Sequence, residues 1–246
     1  MTMLADPIQA LAGVPFLDDG FQHSRLAAAV CAVRHARAQA AGRARGVTDF
    51  SVWLAPARAA MLSENATRLP ATPLVPARLS EIEDAVQLLS KAEPCWEPLL
   101  RLPIRFAALH PPTGAISASL RSWPQHVLLG RDAFADGREL AEQVLHEMAH
   151  QWLYLAMEVW PIIAGASDGQ LFTLPSGTGG KQAWEVLGAA HVAAVLRRWY
   201  VQGPYPDPAR AAQLADYADG CAALLADTEL TPAGEMFATR IKEALL

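Results

Sequence analysis

The chain has 246 residues, 48 of them alanine, with 52% hydrophobic, 18% charged and only 7% aromatic residues. A chain of this length buries most of the surface its unfolded form exposes, so it needs no disulfide or metal to fold, and its apolar content excludes disorder. The formal charge of -5 argues against a broad phosphate-binding face, and hence against a nucleic-acid partner. Cys31, Cys95 and Cys221 are widely spaced and form no CxxC pair, which points away from a disulfide framework or a thiolate zinc site. The N-terminal twenty residues lack a basic segment and carry acidic ones, unlike an export signal. The most apolar stretch, Leu153 to Ala166, is broken by Glu158 and Pro161 and is short of the roughly 20 residues that cross a bilayer. A cytoplasmic protein without a membrane partner is the expectation.

In chain order, residues 21–44 read as one alanine-rich helix with Arg25, Arg34, Arg37 and Arg43 on its polar side. Asp49 to Ala60 reads as a short helical segment. An extended connector with Pro70, Pro73 and Pro76 follows, and Ser80 is the expected N-cap of the next helix, with Glu83 three residues on. Near residue 100 the pattern changes to short apolar runs, Leu102 to Leu109, Ala115 to Leu120 and His126 to Leu129, joined by turn residues. They predict two or three strands in an antiparallel sheet. Asp136 then caps a helix whose buried stripe is Leu140, Val144, Leu145, Met148 and Trp152. A Gly/Ser/Thr-rich loop spans about Ala164 to Gly180. Three further helices are expected, from Lys181 to Val201, near Pro208 to Ala226, and from Pro232 with Thr231 as its N-cap. This is an α+β, mainly helical chain, with an N-terminal helical lobe over 1–100 and a metal-binding catalytic lobe over 101–246.

The chemistry lies in His146-Glu147-Met148-Ala149-His150, an HExxH on the predicted helix. Residues four apart share a helix face, so two imidazoles can reach one divalent metal, while Glu147 is displaced around the helix and can act on a water or orient a ligand. Chance alone produces such a pentapeptide about once in a hundred chains of this composition, so the surrounding pattern carries weight. A catalytic metal needs a third protein ligand. Two candidates lie on the next helix, Glu185 near its start and His191 six residues on; they point in different directions and would not ligate together. Glu185 also reads as an ordinary acid at a helix N-terminus, and His191 as a histidine buried among alanines. Tyr154 and Tyr200 are candidate oxyanion donors or ordinary half-buried tyrosines. His110 and His126 flank strands where a peptide groove could lie, and a free sheet edge near Val127 could pair with an extended peptide.

The order of strand, motif helix and ligand-bearing helix resembles the zincin-type metalloenzymes, and HEMAHQW from His146 to Trp152 is similar to the HExxHxW of thermolysin-like aminopeptidases. That resemblance implies a zincin-like core, in which a small antiparallel sheet precedes the HExxH helix and a second ligand-bearing helix. A second resemblance covers residues 125–246: VLLG, LAEQVLHEMAHQ, LFTLPSGTGG leading into VLGAAHVAAVLRRWY, and LTPAGEMFATRI. This order is similar to the HExxH-type 2-oxoglutarate-dependent peptide β-hydroxylases of ribosomally synthesised, post-translationally modified peptides. It implies iron(II) held by His146, His150 and His191, with 2-oxoglutarate as co-substrate and a peptide side-chain β-carbon as the target. The family's basic residue before the ligand helix is absent from Pro175 to Gly180. Lys181 is the nearest cation for the distal carboxylate of 2-oxoglutarate, and it also reads as a solvated lysine at a helix start. The alternatives are a zinc metallopeptidase of gluzincin type, with His146, His150 and Glu185 as ligands and Glu147 as general base, and a non-catalytic helical peptide-binding module.

Overall fold

Caps and apolar periodicity set most element boundaries in the computed structural model, which describes residues 6–44, 49–63, 71–110, 115–164 and 169–246. The helices are α1 (Pro7–Leu11), α2 (His23–Ala40), α3 (Pro56–Leu62), α4 (Pro76–Ala92), α5 (Glu97–Leu100), α6 (Gly137–Val159), α7 (Ala183–Gln202), α8 (Pro208–Leu225) and α9 (Pro232–Glu243). The strands are β1 (Ala71–Pro73), β2 (Arg105–Leu109), β3 (Ser117–Leu120) and β4 (Trp123–Leu129). The chain is therefore α+β and mainly helical. No helix among the described residues is long and apolar enough to cross a membrane. Contacts divide the chain into two compact units, His23–Val159 and Met1–Gln22 with Trp160–Leu246.

In the unit His23–Val159, α6 buries the expected stripe of Leu140, Val144, Leu145, Met148 and Trp152. Asp136 caps it, its Oδ1 accepting the Glu139 N–H at 2.8 Å. Helix α4 starts at Pro76, one turn before the expected Ser80. Proline has its φ preset for the first helical turn and no N–H to satisfy there, so it opens a helix rather than delaying one. Part of the expected connector, Ala71–Pro73, pairs with β2 as an edge strand; Pro70 lies outside the described residues.

The sheet has the order β1-β2-β4-β3 and is mixed, not antiparallel as expected. β1 and β3 run antiparallel to their neighbours, while β2 and β4 are parallel, with Arg105 opposite His126 and Ala108 opposite Leu129. The apolar Val127, Leu128 and Leu129 draw β4 into the interior of the sheet, and the serine-bearing β3 is left at the edge. β3 runs opposite to β2 and reverses into β4 through a tight turn, so β4 runs in the direction of β2. Val127 thus lies on a strand paired on both sides, and it offers no edge to a peptide.

A buried polar cluster holds α2, α6 and the start of β4. Arg34, expected on a solvated face, is 1% exposed. Its guanidinium makes a two-pronged bond to Glu158, at 2.9 Å from Nε and 2.7 Å from Nη2, and Nη1 donates to the Trp53 carbonyl and to Gln125 Oε1. Gln125 has a φ of 60°, a left-handed conformation costly for a non-glycine residue. Its amide side chain donates to the Leu54 and Pro103 carbonyls, and its backbone N–H donates to Gln151 Oε1 at 2.7 Å. Gln151 returns a bond to the His126 carbonyl at 3.3 Å. One α6 side chain, Gln151, thus stands in with two hydrogen bonds for the strand partner that the kink at Gln125 loses.

In the second unit, α7 begins with a reciprocal capping box between Gln182 and Glu185, and α9 has Thr231 as N-cap and Pro232 in its first turn, as expected. A short bridge pairs Ile163 with Leu230. Gly234 is required beside it, because a Cβ there would lie 2.1 Å from the Ile162 carbonyl oxygen. The loop before α7 closes on itself, with Phe172 and Lys181 exchanging backbone hydrogen bonds of 2.7 and 3.0 Å; residues 165–168 lie outside the described residues. After α1 the N-terminal segment turns sharply, and Ala12 and Phe16 adopt left-handed conformations with φ of 53° and 65°. Each costs about 1–2 kcal/mol and is held by surrounding contacts. Among these, Asp18 accepts the Val14 N–H at 2.8 Å and pairs with Arg240 at 2.5 Å.

Candidate metal centre

Helix α6 brings His146, Glu147 and His150 together as the motif predicts. The two imidazoles lie one turn apart on one face, with ring centroids 5.0 Å apart and planes inclined at 65°. His146 keeps 35% of its side-chain surface exposed. Tyr154 continues the same face by a further turn and stacks on His150, centroids 5.8 Å apart and planes at 15°. Both Tyr154 and Tyr200 are buried, not half-buried.

Glu147 lies on the adjacent face and is 2% exposed. Its Oε1 is 2.6 Å from the Ser117 hydroxyl on β3 and 3.9 Å from His146 Nε2. Its Oε2 is buried and has no hydrogen-bond partner among the described residues. Ser117 Oγ is also 2.6 Å from Gln143 Oε1, and Gln143 Nε2 donates to Glu139 Oε1 at 2.9 Å. Glu139, Gln143 and Glu147 follow at four-residue spacing on α6, so a ladder of helix side chains meets one hydroxyl from the sheet. Ser119 lies on the same face of β3, two residues on; its hydroxyl is likewise buried without a partner among the described residues.

His126 occupies the other face of the sheet. Pleating puts Leu129 and Val127, opposite Ser117 and Ser119, on the α6 side and His126 on the far side. Its Nδ1 lies 2.9 Å from the Pro124 carbonyl oxygen, Trp123 meets it edge-on at 5.1 Å, and burial pushes its pKa below the usual histidine value. His110 is exposed just beyond β2.

The candidates for a third ligand belong to the second unit, and they differ in what they have to offer. Both oxygens of Glu185 are engaged: Oε1 pairs with Lys181 Nζ at 2.9 Å and Oε2 accepts the Gln182 N–H at 2.9 Å. Lys181, the candidate anchor for 2-oxoglutarate, is thus held in an ion pair within one helical turn. His191 is fully buried. Its Nε2 lies 2.9 Å from the Pro15 carbonyl oxygen, and its Nδ1 has no partner among the described residues. Burial lowers its pKa to about 4, partly offset by the Pro15 hydrogen bond, so the ring is neutral at pH 7. No group of three or more His, Cys, Asp or Glu residues among the described residues is arranged to hold a metal ion.

Ser117, Gln143 and Gln151 escaped the sequence reading. Gln151 directly follows the motif, and Gln125 is a lone amide in an apolar strand. A polar residue at a position whose pattern demands burial is the signal that marks both. Ser117 carries no such signal, since a serine on a short edge strand is ordinary. No protein-family model and no curated protein matches the chain.

Proposed function

We propose that the chain is an iron(II)- and 2-oxoglutarate-dependent hydroxylase acting on a side-chain β-carbon of a peptide, with a zincin-like arrangement of its motif helix. The observation that carries the reading is the contrast between Glu185 and His191. Glu185 has both oxygens committed to Lys181 and to the helix start, whereas His191 offers a bare, buried imidazole nitrogen. The resemblance of residues 125–246 implies a donor set of His146, His150 and His191, in place of the glutamate set of a gluzincin, and the commitments of Glu185 support that reading. Neutral imidazole suits iron and zinc alike, so the choice of iron rests on the resemblance of residues 125–246 to the peptide hydroxylases.

With iron(II), 2-oxoglutarate and dioxygen supply the oxidising power for C–H hydroxylation. The residues of the chain hold and orient. His146 and His150 present nitrogens from one rigid helix, and Gln151 ties that helix to β4. Glu147, fixed by Ser117, acts on groups beside the ligands rather than as a ligand itself. Lys181 is the cation for the distal carboxylate of 2-oxoglutarate, exchanging its bond to Glu185.

One observation favours a hydrolytic reading: Glu147 Oε2 is free of protein partners among the described residues, as a general base toward water requires. Aerobic incubation with iron(II), 2-oxoglutarate and candidate peptides separates the two. Hydroxylation gives succinate and a peptide heavier by one oxygen; peptide cleavage with zinc, indifferent to 2-oxoglutarate, establishes the peptidase instead.

A further inference from the structure

Helix α6 meets the sheet along a polar seam whose members all lie within the unit His23–Val159. Glu139, Gln143, Glu147 and Gln151 follow one another at single-turn spacing, and Glu147 and Gln151 are 2% and 1% exposed. Opposite them, Ser117 Oγ meets Gln143 and Glu147, while Gln151 is tied to the start of β4 through the Gln125 N–H and the His126 carbonyl. Strand pairing fixes where Ser119 falls between these ties. Ser117 stands opposite Leu129 and Ser119 opposite Val127, so Ser119 is two residues nearer to Gln125. Two residues of strand span about 6.6 Å and one helical turn about 5.4 Å. The step from Ser117 to Ser119 therefore matches the step along α6 from the Gln143–Glu147 turn to the Glu147–Gln151 turn.

Three polar groups around that turn are incompletely bonded. Glu147 Oε2 and Ser119 Oγ are buried without a hydrogen-bond partner among the described residues, so they also stand beyond bonding distance of each other. Gln151 Nε2 carries two hydrogens and gives one, to the His126 carbonyl. The walls are apolar: Val127 and Leu129, on the same side of the sheet, are 0% and 1% exposed. A carboxyl oxygen and a hydroxyl shut away from bulk water with no partner are costly to a fold. Their needs are complementary. Glu147 Oε2 takes a donor, Gln151 Nε2 takes an acceptor, and the Ser119 hydroxyl serves as either. A water molecule both donates and accepts, and about two to four such partners hold a water inside a protein. It also joins a donor and an acceptor that are too far apart to bond directly.

We infer that α6 and β3 enclose a binding site for one internal water, held by Glu147 Oε2, Ser119 Oγ and Gln151 Nε2. The water completes the bonding of the motif glutamate: Ser117 fixes Oε1, and the water, anchored on Ser119, fixes Oε2. Ser119 is thereby a positioning residue that acts on Glu147 at one remove. Neither a metal nor a co-substrate enters, so the site stands whether the chain is a hydroxylase, a peptidase or neither.

Oxygen-17 relaxation dispersion on the full-length, metal-free protein tests the site, because it counts long-lived internal waters and does not register hydroxyl hydrogen exchange. Ser119→Val puts methyl groups where the hydroxyl and water lie, and should lower the count by one; Ser119→Thr keeps the hydroxyl and should keep the count. Urea denaturation supplies a second readout. Ser119→Val should lower the folding equilibrium constant by about 5- to 150-fold, the penalty for stranding Glu147 Oε2, although valine is the better strand residue. In a Glu147→Leu background, which has no acceptor to strand, the same change should cost nothing. Glu147→Leu alone should also lower the water count by one, and it serves where Ser119→Val does not fold. An unchanged count in Ser119→Val or Glu147→Leu, a neutral or stabilising Ser119→Val, or an equal loss in both backgrounds overturns the inference.

Discussion

Ser117 Oγ on β3 lies 2.6 Å from Glu147 Oε1 on α6, and the same oxygen lies 2.6 Å from Gln143 Oε1. A hydroxyl has one hydrogen, so two acceptors share one donor. The arrangement pins one oxygen of the motif glutamate against the sheet and leaves the other, buried, without a partner among the described residues.

Removing that hydroxyl strands both acceptors in a water-poor site. Ser117→Ala should lower stability by about 1–3 kcal/mol, the penalty for an unsatisfied buried group, and Ser117→Thr should recover most of it. Urea denaturation of the metal-free protein measures both; a neutral Ser117→Ala would show that water replaces the hydroxyl.

The histidine pair makes a sharper prediction. On the proposed metal-dependent reading, His146→Ala and His150→Ala should each weaken zinc or cobalt binding by more than tenfold. His110→Ala, at an exposed position beyond β2, should bind like the parent. Titration with a competing chelator reads all three, and unaltered affinity in His146→Ala would remove the metal centre.

The Arg34–Glu158 pair is almost wholly enclosed, with side chains 2% and 14% exposed. Glu158→Ala should cost about 3 kcal/mol or more, because the guanidinium remains buried without its counter-charge. Replacing both, as Arg34→Met with Glu158→Leu, should cost less than the sum of the single changes. A double-mutant cycle in urea measures that coupling. Additive costs would place the energy in packing rather than in the ion pair.

The buried His191 predicts a pH dependence for the metal-free protein. Its pKa falls from 6.5 to about 4 on folding. Above pH 6.5 both folded and unfolded states hold it neutral, and it contributes nothing. Between 6.5 and about 4 only the unfolded state takes up the proton, so stability drops as the pH falls, by about 3 kcal/mol in all at 1.36 kcal/mol per unit. His126, also lowered by burial, acts in the same direction. Between pH 7 and pH 4 the parent should therefore lose about 3 kcal/mol more stability than His191→Gln, which lacks the titrating ring. Parallel profiles would mean that His191 does not titrate as a buried base.

The helices and their caps were legible because the signals are local. Asp136, Thr231 and Pro232 act within one turn, and the α6 stripe repeats at the helical period whatever packs against it. The HExxH spacing is legible for the same reason, since a helix converts four residues of sequence into one shared face. Strand direction was not, because pairing is set by which strand gains most from the interior. Val127 to Leu129 won that position for β4 and made the sheet mixed.

The sequence by itself determined a mainly helical α+β chain with two histidines and a glutamate on one helix, because these follow from periodicity and spacing. Only the tertiary structure decided which polar groups have partners. It assigned Arg34 to a buried ion pair, Ser117 to the motif glutamate and the Pro15 carbonyl to His191. Hydrogen-bond satisfaction is a condition on the whole fold: each buried group takes whichever partner the packing brings within about 3 Å, however distant in the chain.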